Sequence, residues 1–516
     1  MKTLKKISKS ADTLPLLMLF AIAVFFSMTS FFFYYSNRIY GHDAGIFAYV
    51  GWAMTKGRIL YTEVWENKGP LLYFINMFAV LLNRDHGIFW AELIFLFTTL
   101  CFAYKTARLM TSSRWVAFTT AFLSITVLCS TLQGGNLSEE YALAFLCAFL
   151  YYATKFFLSD FSLKRYEICI VGALACAVGL LRANILAFPA VILLVLVCVL
   201  VWQKRFQTLG SVLLYGFIGF ALFLLPFLIY FAANHALEAW IQIAYLDVVG
   251  SFIRQTLLVR LRSLMEMFAG MNLAGSTYLF VLFFVLFAAA LWTKKLKLPQ
   301  KCIMWCCALG FLLNTWANSL SGTADMHYFM TFMPILVAPL AWMLDGLFTT
   351  LRRCNMQKQA SNLLIFALAL FISFPGLMDH ASRILWGLHN GGSGRYIQME
   401  NYIKSNSHKD DFVQVVGASP EMVTANFRME RLAASRYSYY AAGSFTQEAK
   451  DIFANELSHD IMANPPKFIL YTNAATKKDF SSRLEHLLQY EALKDERYTR
   501  EESDSFGDIL VYKRID

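Results

Sequence analysis

The chain has 516 residues, of which 58% are hydrophobic and only 16% are charged, and its formal net charge is +10. Soluble proteins average about 45–50% apolar residues, so this chain has too few polar groups to cover a soluble surface and the excess must face lipid. The positive charge does not indicate nucleic-acid binding, because Lys and Arg cluster in short blocks between apolar runs. The composition therefore predicts a polytopic α-helical membrane protein.

Eleven apolar runs reach or approach the length of about 20 residues that a membrane-spanning helix needs. They begin near Leu14, Gly87, Trp115, Tyr141, Glu167, Ile185, Ser211, Ser276, Cys302, Tyr328 and Leu363. The fifth and sixth runs are separated only by a tight turn at 181–184, which leaves the helix count at 166–203 open by one. We expect about eleven transmembrane helices.

The basic residues at the ends of these runs all fall on one side of the predicted membrane. They form six blocks, which are Lys2 to Lys9, Lys105 to Arg114, Lys155 to Arg165, Lys204 and Arg205, Lys294 to Lys301, and Arg352 to Lys358. Cytoplasmic loops are enriched in Lys and Arg, so the N-terminus, which shares this side, is predicted to be cytoplasmic. Eleven spans then put the C-terminal tail outside.

The polar segments divide the chain into a membrane part and a tail. Residues 1–380 are predicted to form a transmembrane module with two long outer loops, at 37–86 and 233–275. Residues 381–516 are predicted to form an extracytoplasmic α/β domain, because the apolar runs DFVQVV and PPKFILYT are typical of buried strands and alternate with helical segments.

The first outer loop contains two helical stretches, 44–56 and 69–83, that are too short or too polar to span the membrane and are expected to lie along its surface. Gly57 is expected to end the first stretch, and Pro70 suits the first turn of the second. Asp43 directly precedes the first stretch, where it is predicted to cap the helix. A carboxylate held at the membrane boundary can also act as a general base, and the two interpretations are compatible.

Three further charged side chains of the outer loops each have a structural and a functional interpretation. Lys68 is either an anchor at the membrane surface or a cation for a phosphate group. Glu139 and Glu140 either stabilise the N-terminal turn of a helix or belong to an acceptor or cation site.

Arg182 lies at the outer end of two apolar runs, where the positive-inside rule does not explain it. An Arg in this position needs water, a carboxylate such as Glu139, or a phosphate. His327 and Tyr328 follow at the outer start of another run and provide a second pair of hydrogen-bonding groups. The sequence leaves the partners of these side chains open.

Two segments of the first loop carry a resemblance to a known family. HDAGIFAYVGW at 42–52 and YTEVWENKGPLLY at 61–73 resemble the first outer loop of GT-C fold glycosyltransferases, in the bacterial branch related to protein O-mannosyltransferases and aminoarabinose transferases. Weaker similarities recur at 136–140, 181–184, 327–328, 434–437 and 465–466. The chain departs from the pattern at Ala44, where relatives often have a second acid, and at Gly69, which replaces a Pro.

This resemblance implies an inverting glycosyltransferase of the hexosyltransferase type that uses a polyprenyl-phosphate sugar donor. The acceptor would be a glycan, lipid or protein outside the cytoplasm, and the location would be the inner or plasma membrane of a bacterium, in cell-envelope polysaccharide biosynthesis. By analogy Asp43 is the catalytic carboxylate. A transferase that faces outward cannot use cytoplasmic nucleotide sugars, so a donor held in the bilayer is consistent with the predicted topology.

Such a reaction needs cations for the leaving phosphate and a base for the acceptor hydroxyl. We predict that Lys68, Arg182 and His327 bind the donor phosphate. The side chains predicted to contact acceptor or sugar are Glu66, Glu139, Glu140, Trp240, Tyr245, Asp247 and Tyr328. No metal ligands are predicted and no cofactor is required, although a divalent cation stays open.

The alternatives are a flippase or transporter of a lipid carrier and a polysaccharide polymerase or ligase. A transporter predicts inverted repeats and broken helices at mid-membrane, and neither is evident in the sequence. A large outward tail is also unexpected for a transporter. The sequence does not identify the sugar, the acceptor or the oligomeric state.

The predicted orientation is testable by labelling single cysteines with a reagent that does not cross the membrane. Lys204→Cys should be protected in intact cells, and Lys450→Cys should be labelled, because they lie on opposite predicted sides. The unaltered chain, with its own ten cysteines, provides the background signal. Labelling of both positions from outside would contradict the topology.

Overall fold

A computed structural model of the chain describes most of its length. The described residues are 12–34, 42–253, 255–273, 296–390, 396–416, 422, 424–439, 447–472, 498–501 and 509–515. The apolar run predicted near Ser276 lies outside the described residues. So does the side chain of His42, although its backbone belongs to a helix.

The chain divides into two compact units. Unit 1 comprises Met1–Thr29, Ala91–Phe227 and Gln255–Leu385. Unit 2 comprises Ser30–Trp90, Leu228–Arg254 and Trp386–Asp516, so it combines the first predicted loop, part of the second and the tail. The division of the sequence into 1–380 and 381–516 stays a prediction.

Eight helical segments among the described residues are long and apolar enough to cross a membrane. They are Gly87–Met110, Arg114–Thr131, Ser138–Leu158, Ala183–Trp202, Phe206–Ala233, Leu298–Ser321, Met326–Arg353 and Lys358–His389. Each coincides with one of the eleven predicted runs. The runs near Leu14 and Glu167 form the shorter helices Thr13–Ser27 and Arg165–Leu181. The prediction of a polytopic helical membrane protein is confirmed.

Within unit 1, glycines allow two neighbouring helices to approach closely. A side-chain carbon at Gly172 would collide with the carbonyl oxygen of Gly216, and one at Gly219 would collide with the carbonyl oxygen of Cys169. Small residues at such crossings are typical of helices packed in a membrane, where association depends on close van der Waals contact. The tight turn predicted at 181–184 is also present, since helix Arg165–Leu181 is followed by a 3₁₀ turn at Ala183–Leu186 and helix Ala187–Trp202.

The first loop of unit 2 forms two helices that pack against each other. Helix His42–Thr55 is followed by Gly57 with φ of +89°, a conformation that glycine adopts without strain. Helix Pro70–Leu82 begins with its proline in the first turn, as predicted. Gly51 lies at the contact, because a side-chain carbon there would collide with Asn76 and the backbone of Met77.

The remainder of unit 2 contains short helices and a small sheet. The helical segments are Leu237–Ile241, a π-helical turn at Gln242–Leu246, Asp247–Ile253, Ile397–Ser405, Ala425–Met429 and Gln447–Ala463. The strands are β1 (Val413–Val416), β2 (Phe468–Thr472), β3 (Tyr498–Glu501) and β4 (Ile509–Arg514). The mixture of helices and strands predicted for the tail is confirmed.

The sheet has the strand order β1-β2-β4-β3. β1 pairs with β2 in parallel, and β4 pairs antiparallel with both β2 and β3. β1 is buried along its whole length, and Val413 and Val415 form a core with Met399, Phe468 and Val511. This core holds β1 in place. The chain then continues through residues 424–439, which contribute to the candidate site described below.

Candidate functional site

Four side chains of unit 2 form what we call the acid cluster, namely Asp43, Glu66, Lys68 and Tyr439. Glu66 is its centre and is only 3% exposed. Its Oε2 accepts a hydrogen bond of 2.7 Å from the Tyr439 hydroxyl, and its Oε1 accepts one of 2.7 Å from the backbone N–H of Asn67. A buried carboxylate is tolerated only with such donors.

The environment of Glu66 favours its protonated form. Burial raises the pKa of the Glu66 carboxyl above its usual value. The Lys68 ammonium and the hydrogen bonds from Asn67 and Tyr439 oppose this rise, and the negative charge of Asp43 adds to it. Asp43 therefore lies near enough to Glu66 for two carboxylates to influence each other, and such pairs separate into one acid and one base.

Asp43 does not cap its helix as predicted. The helix begins at His42, so Asp43 lies in the first turn. Assignment of a helix end from sequence is accurate only to one or two residues, which accounts for the difference. In the first turn the exposed backbone N–H groups and the helix dipole favour an ionised carboxylate, and Asp43 is only partly buried.

Lys68 is held by its backbone between two fully buried tyrosines. The Tyr61 hydroxyl donates to the Lys68 carbonyl oxygen at 2.7 Å, and the Lys68 N–H donates to the Tyr73 hydroxyl at 3.2 Å. Tyr61 itself has φ of +73°, which is rare for a bulky residue and is often found at functional sites. The side chain of Lys68 is partly exposed, and its ammonium donates to Asn67 Oδ1 at 3.2 Å.

Unit 1 brings together Arg182, a second predicted phosphate-binding cation, and three other residues that the sequence singled out. We call this the arginine cluster, and its members are Arg182, Glu139, Tyr328, His327 and Gln133. Arg182 Nη1 donates to Glu139 Oε1, and the guanidinium lies 4.4 Å from the centre of the Tyr328 ring. His327 Nδ1 and Gln133 Oε1 are 2.9 Å apart. The sequence left water, a carboxylate or a phosphate open as the partner of Arg182, and the structure shows a carboxylate, that of Glu139.

Glu139 and Glu140 both lie in the first turn of helix Ser138–Leu158 and are both buried. Glu139 is paired, as described above. Oε2 of Glu140 has no hydrogen-bond partner among the described residues.

The three predicted sugar contacts of the second loop differ in accessibility. Trp240 is buried and stacks on Phe231 with ring centres 4.5 Å apart, and the centre of the Tyr245 ring is 6.2 Å from it. Asp247 is exposed and accepts a hydrogen bond of 2.6 Å from Gln242. Asp247 lines a cavity of unit 2, together with Trp65. The roles of all three as sugar contacts stay predictions.

Sequence reasoning did not identify two of the partners in these clusters. Tyr439, which binds Glu66, lies 373 residues farther along the chain. It follows the segment 434–437, whose similarity to the transferase family was the only signal that pointed to this part of the tail. Gln133, which contacts His327, precedes a Gly-Gly pair and gave no signal of its own.

Among the described residues, no group of three or more His, Cys, Asp or Glu side chains lies close enough to hold a metal ion. The acid cluster offers two carboxylates, and the arginine cluster offers one carboxylate, which is paired with Arg182, and one imidazole, which contacts Gln133. The described groups are therefore suited to proton transfer and to binding an anion.

Comparison with known proteins gives a family and a fold. The model of the family described as "Putative competence-induced protein Ccs4 N-terminal domain" matches residues 2–373. No curated protein sequence matches the chain.

Similar solved structures come from a bacterium and an archaeon. ArnT from Cupriavidus metallidurans bound to undecaprenyl phosphate has a TM-score of 0.59 and 12% identity, covering 98% of both chains. Its apo state has a TM-score of 0.59 and 11% identity with the same coverage. The oligosaccharyltransferase of Archaeoglobus fulgidus in complex with Zn and sulfate has a TM-score of 0.54 and 15% identity, covering 89% of this chain and 68% of its own. These likenesses confirm the predicted GT-C fold.

The burial of Glu66 should make stability depend on pH. A carboxyl whose pKa is higher in the folded state binds a proton more readily there, so stability falls as the pH rises from the ordinary value of 4.5 through the raised value. Glu66→Gln cannot ionise, so we expect its unfolding temperature to fall less over this range than that of the wild type. The measurement is thermal unfolding in detergent from about pH 4.5 to pH 8.

Glu63→Gln is the matched control, because Glu63 is an exposed acid of the same loop. We expect this variant to follow the wild type. If Glu66→Gln also follows the wild type, the burial of Glu66 contributes nothing measurable to the pH dependence.

Proposed function

Since the chain belongs to the competence-induced Ccs4 N-terminal domain family and has a GT-C fold, we propose that it is a membrane glycosyltransferase with a polyprenyl-phosphate-linked sugar donor. The observation that carries the proposal is the acid cluster, which combines the partly exposed Asp43, the buried Glu66 and the neighbouring ammonium of Lys68. The likeness to an ArnT structure bound to undecaprenyl phosphate supports this class of donor.

In the proposed reaction an acceptor hydroxyl oxygen attacks C1 of the donor sugar. The bond from C1 to the phosphate oxygen breaks, and the polyprenyl phosphate leaves with the electron pair. The hydroxyl proton passes to Asp43, and attack from the face opposite the phosphate inverts the anomeric centre. Each atom and charge is accounted for by donor, acceptor and one carboxylate, so a metal ion is not needed for balance.

Asp43 is assigned as the base because its position favours an ionised carboxylate. It is partly exposed in the first turn of a helix, whereas burial favours the protonated form of neighbouring Glu66. A protonated Glu66 would limit repulsion near Asp43 and could donate a hydrogen bond to a sugar hydroxyl. A positioned base of this kind contributes about 10²–10⁴-fold to a reaction rate.

The leaving phosphate needs positive charge, and three side chains are proposed to supply it. Lys68 is partly exposed, and its backbone is held by hydrogen bonds with Tyr61 and Tyr73. Arg182 can bind a phosphate through two parallel N–H donors, in which case the phosphate would compete with Glu139 for the guanidinium. His327 is proposed to act next to Arg182, since both contact Tyr328.

The proposed location is the inner or plasma membrane of a bacterium, with the N-terminus in the cytoplasm and the tail outside. The grouping of basic residues on one side of the spans supports this orientation. We further propose a role in the synthesis of cell-envelope polysaccharide. Glu66, Glu139, Glu140, Trp240, Tyr245, Asp247 and Tyr328 remain the proposed contacts for acceptor or sugar.

Asp43→Asn tests the assignment of the base. Asn has nearly the same size, so we expect normal folding and donor binding, with transfer slowed about 10²–10⁴-fold through loss of the base. Transfer is measured with purified protein and lipid-linked sugars extracted from the host membrane. Asp85→Asn is the control, because Asp85 is an exposed carboxylate of the same loop, and it should transfer at the wild-type rate. A near wild-type rate for Asp43→Asn would make Glu66 or Glu139 the next candidate.

Arg182 can be tested without leaving an unpaired buried charge. Arg182→Gln alone would leave Glu139 buried without its cation, which is strongly destabilising, so it is combined with Glu139→Gln. We expect the double variant to fold but to bind undecaprenyl phosphate at least tenfold more weakly. This decrease is the effect expected from losing about one charge-assisted contact. Equal binding by the double variant and the wild type would restrict Arg182 to a structural role.

A further inference from the structure

Unit 2 contains two cavities, and most of the residues that line them have no assigned role in the proposed reaction. Cavity A has a volume of about 580 Å³, and its lining includes Arg58, Glu63, Asn455, Glu456, Asp460 and Asn464. Cavity B has a volume of about 490 Å³, and its lining includes Trp65, Glu238, Gln242, Asp247, Tyr437 and Phe453. Both volumes fall in the range of roughly 300–1,000 Å³ that is usual for binding sites of small molecules.

Arg436 lines both cavities and is fixed in place. Its guanidinium forms an ion pair of 2.5 Å with Glu456, which also accepts a hydrogen bond of 2.6 Å from the Tyr437 hydroxyl. Its carbonyl oxygen accepts a hydrogen bond of 2.9 Å from the N–H of Trp65. The two cavities thus share a rigid wall, and that wall joins the chain segment that carries Glu66 to the segment that carries Tyr439.

The lining of cavity A is made almost entirely of polar residues. Of the described residues that line it, Ala434 alone is apolar. Carboxylates accept hydrogen bonds only, and the side-chain amides of Asn455 and Asn464 both donate and accept. A ligand for this lining must offer many hydrogen-bond donors, as a sugar does with a hydroxyl on nearly every carbon. A peptide main chain offers only one N–H per residue.

Cavity B combines an apolar wall with a polar one. Trp65, Tyr437 and Phe453 pack together, with the last two rings 3.9 Å apart between centres. Glu238, Gln242 and Asp247 come from the second loop, where the chain forms a π-helical turn, a feature often found at functional sites. An apolar face with a few placed polar groups is the usual composition of a ligand site, and it suits the C–H face and the hydroxyl edge of one sugar ring.

The charges of the two cavities select against anions. Five carboxylates line them, against the two guanidinium groups of Arg58 and Arg436. Neither Glu238 nor Asp247 has a cationic partner among the described residues. A polyanion would meet net negative charge, and like-charge juxtaposition is an effective way to reject a ligand.

We propose that cavities A and B bind the acceptor of the reaction, and that this acceptor is a neutral or amino-bearing glycan chain. The inference rests on the proposed function. It narrows the acceptor from a glycan, a lipid or a protein to a glycan. A chain of several sugars could occupy both cavities, with Arg436 contacting it where they meet.

The test uses the purified full-length protein on an array of neutral, amino-bearing and uronic-acid-bearing oligosaccharides together with unmodified peptides. We expect the strongest signal on neutral or amino-bearing glycans, at least tenfold above the uronic acids. Glu238→Lys, which reverses one exposed charge in cavity B, should weaken binding of amino-bearing glycans on the order of tenfold. Asp410→Lys reverses an exposed charge of unit 2 outside both cavities and should bind as wild type does.

Strongest binding to uronic acids or peptides, or no glycan signal above a detergent blank, would overturn the inference. Equal loss in the two lysine variants would also overturn it, since the cavities would then play no specific part. The same preparation is tested for undecaprenyl phosphate binding. Retained binding of that lipid with no glycan signal removes the acceptor inference alone, whereas loss of lipid binding counts against the proposed function itself.

Discussion

The Glu66 carboxyl is buried, and a carboxyl in that position persists only if the surrounding chain supplies donors for its oxygens. Tyr439 and the Asn67 N–H supply them. To bring Tyr439 there, the segment after β1 must return to the first loop, and the bond from Trp65 N–H to the Arg436 carbonyl holds it in place. The course of residues 434–439, which contribute Arg436 to both cavities, is therefore tied to the hydrogen-bonding requirement of Glu66.

Arg182 in unit 1 also needs a partner because it is largely buried, but it meets this need in a different way. Arg182 is charged at any physiological pH, so it cannot avoid the penalty of burial by losing its proton as a carboxyl can. It is instead paired with Glu139 and covered by the ring of Tyr328. A buried pair of this kind adds little net stability, but removing either partner is costly. The cost of burying Glu66 is thus reduced by protonation, whereas the cost of burying Arg182 is reduced by pairing with an anion.

The sequence predicted structural features that depend on residues close together in the chain. It did not predict contacts between residues that are far apart in the chain. The spans followed from hydropathy, and the helix beginning at Pro70 followed from local backbone preference. The predicted helix start after Asp43 was two residues too late, because several residues around a helix start can satisfy the first N–H groups. For Arg182 the sequence could state the need for an anion but could not choose between a carboxylate and a phosphate.

Contacts across hundreds of residues leave no periodic signal in a single sequence. Tyr439 is 373 residues from Glu66, and cavity A combines side chains of the first loop with those of helix Gln447–Ala463. The stacking of Phe231 on Trp240 is likewise seen only in the folded chain, and the role of Trp240 as a sugar contact stays a prediction.

The separation between Glu66 and Tyr439 also has a consequence for biosynthesis. Ribosomes add about 5–20 residues per second, so the first loop is made and inserted roughly 20 to 75 seconds before the tyrosine that completes its bonding. Throughout that interval Glu66 has to stay hydrated or protonated, and the loop cannot settle into its final form. A chain truncated before the tail would keep its spans but would never assemble the acid cluster. The acid cluster is thereby completed only when translation is nearly finished.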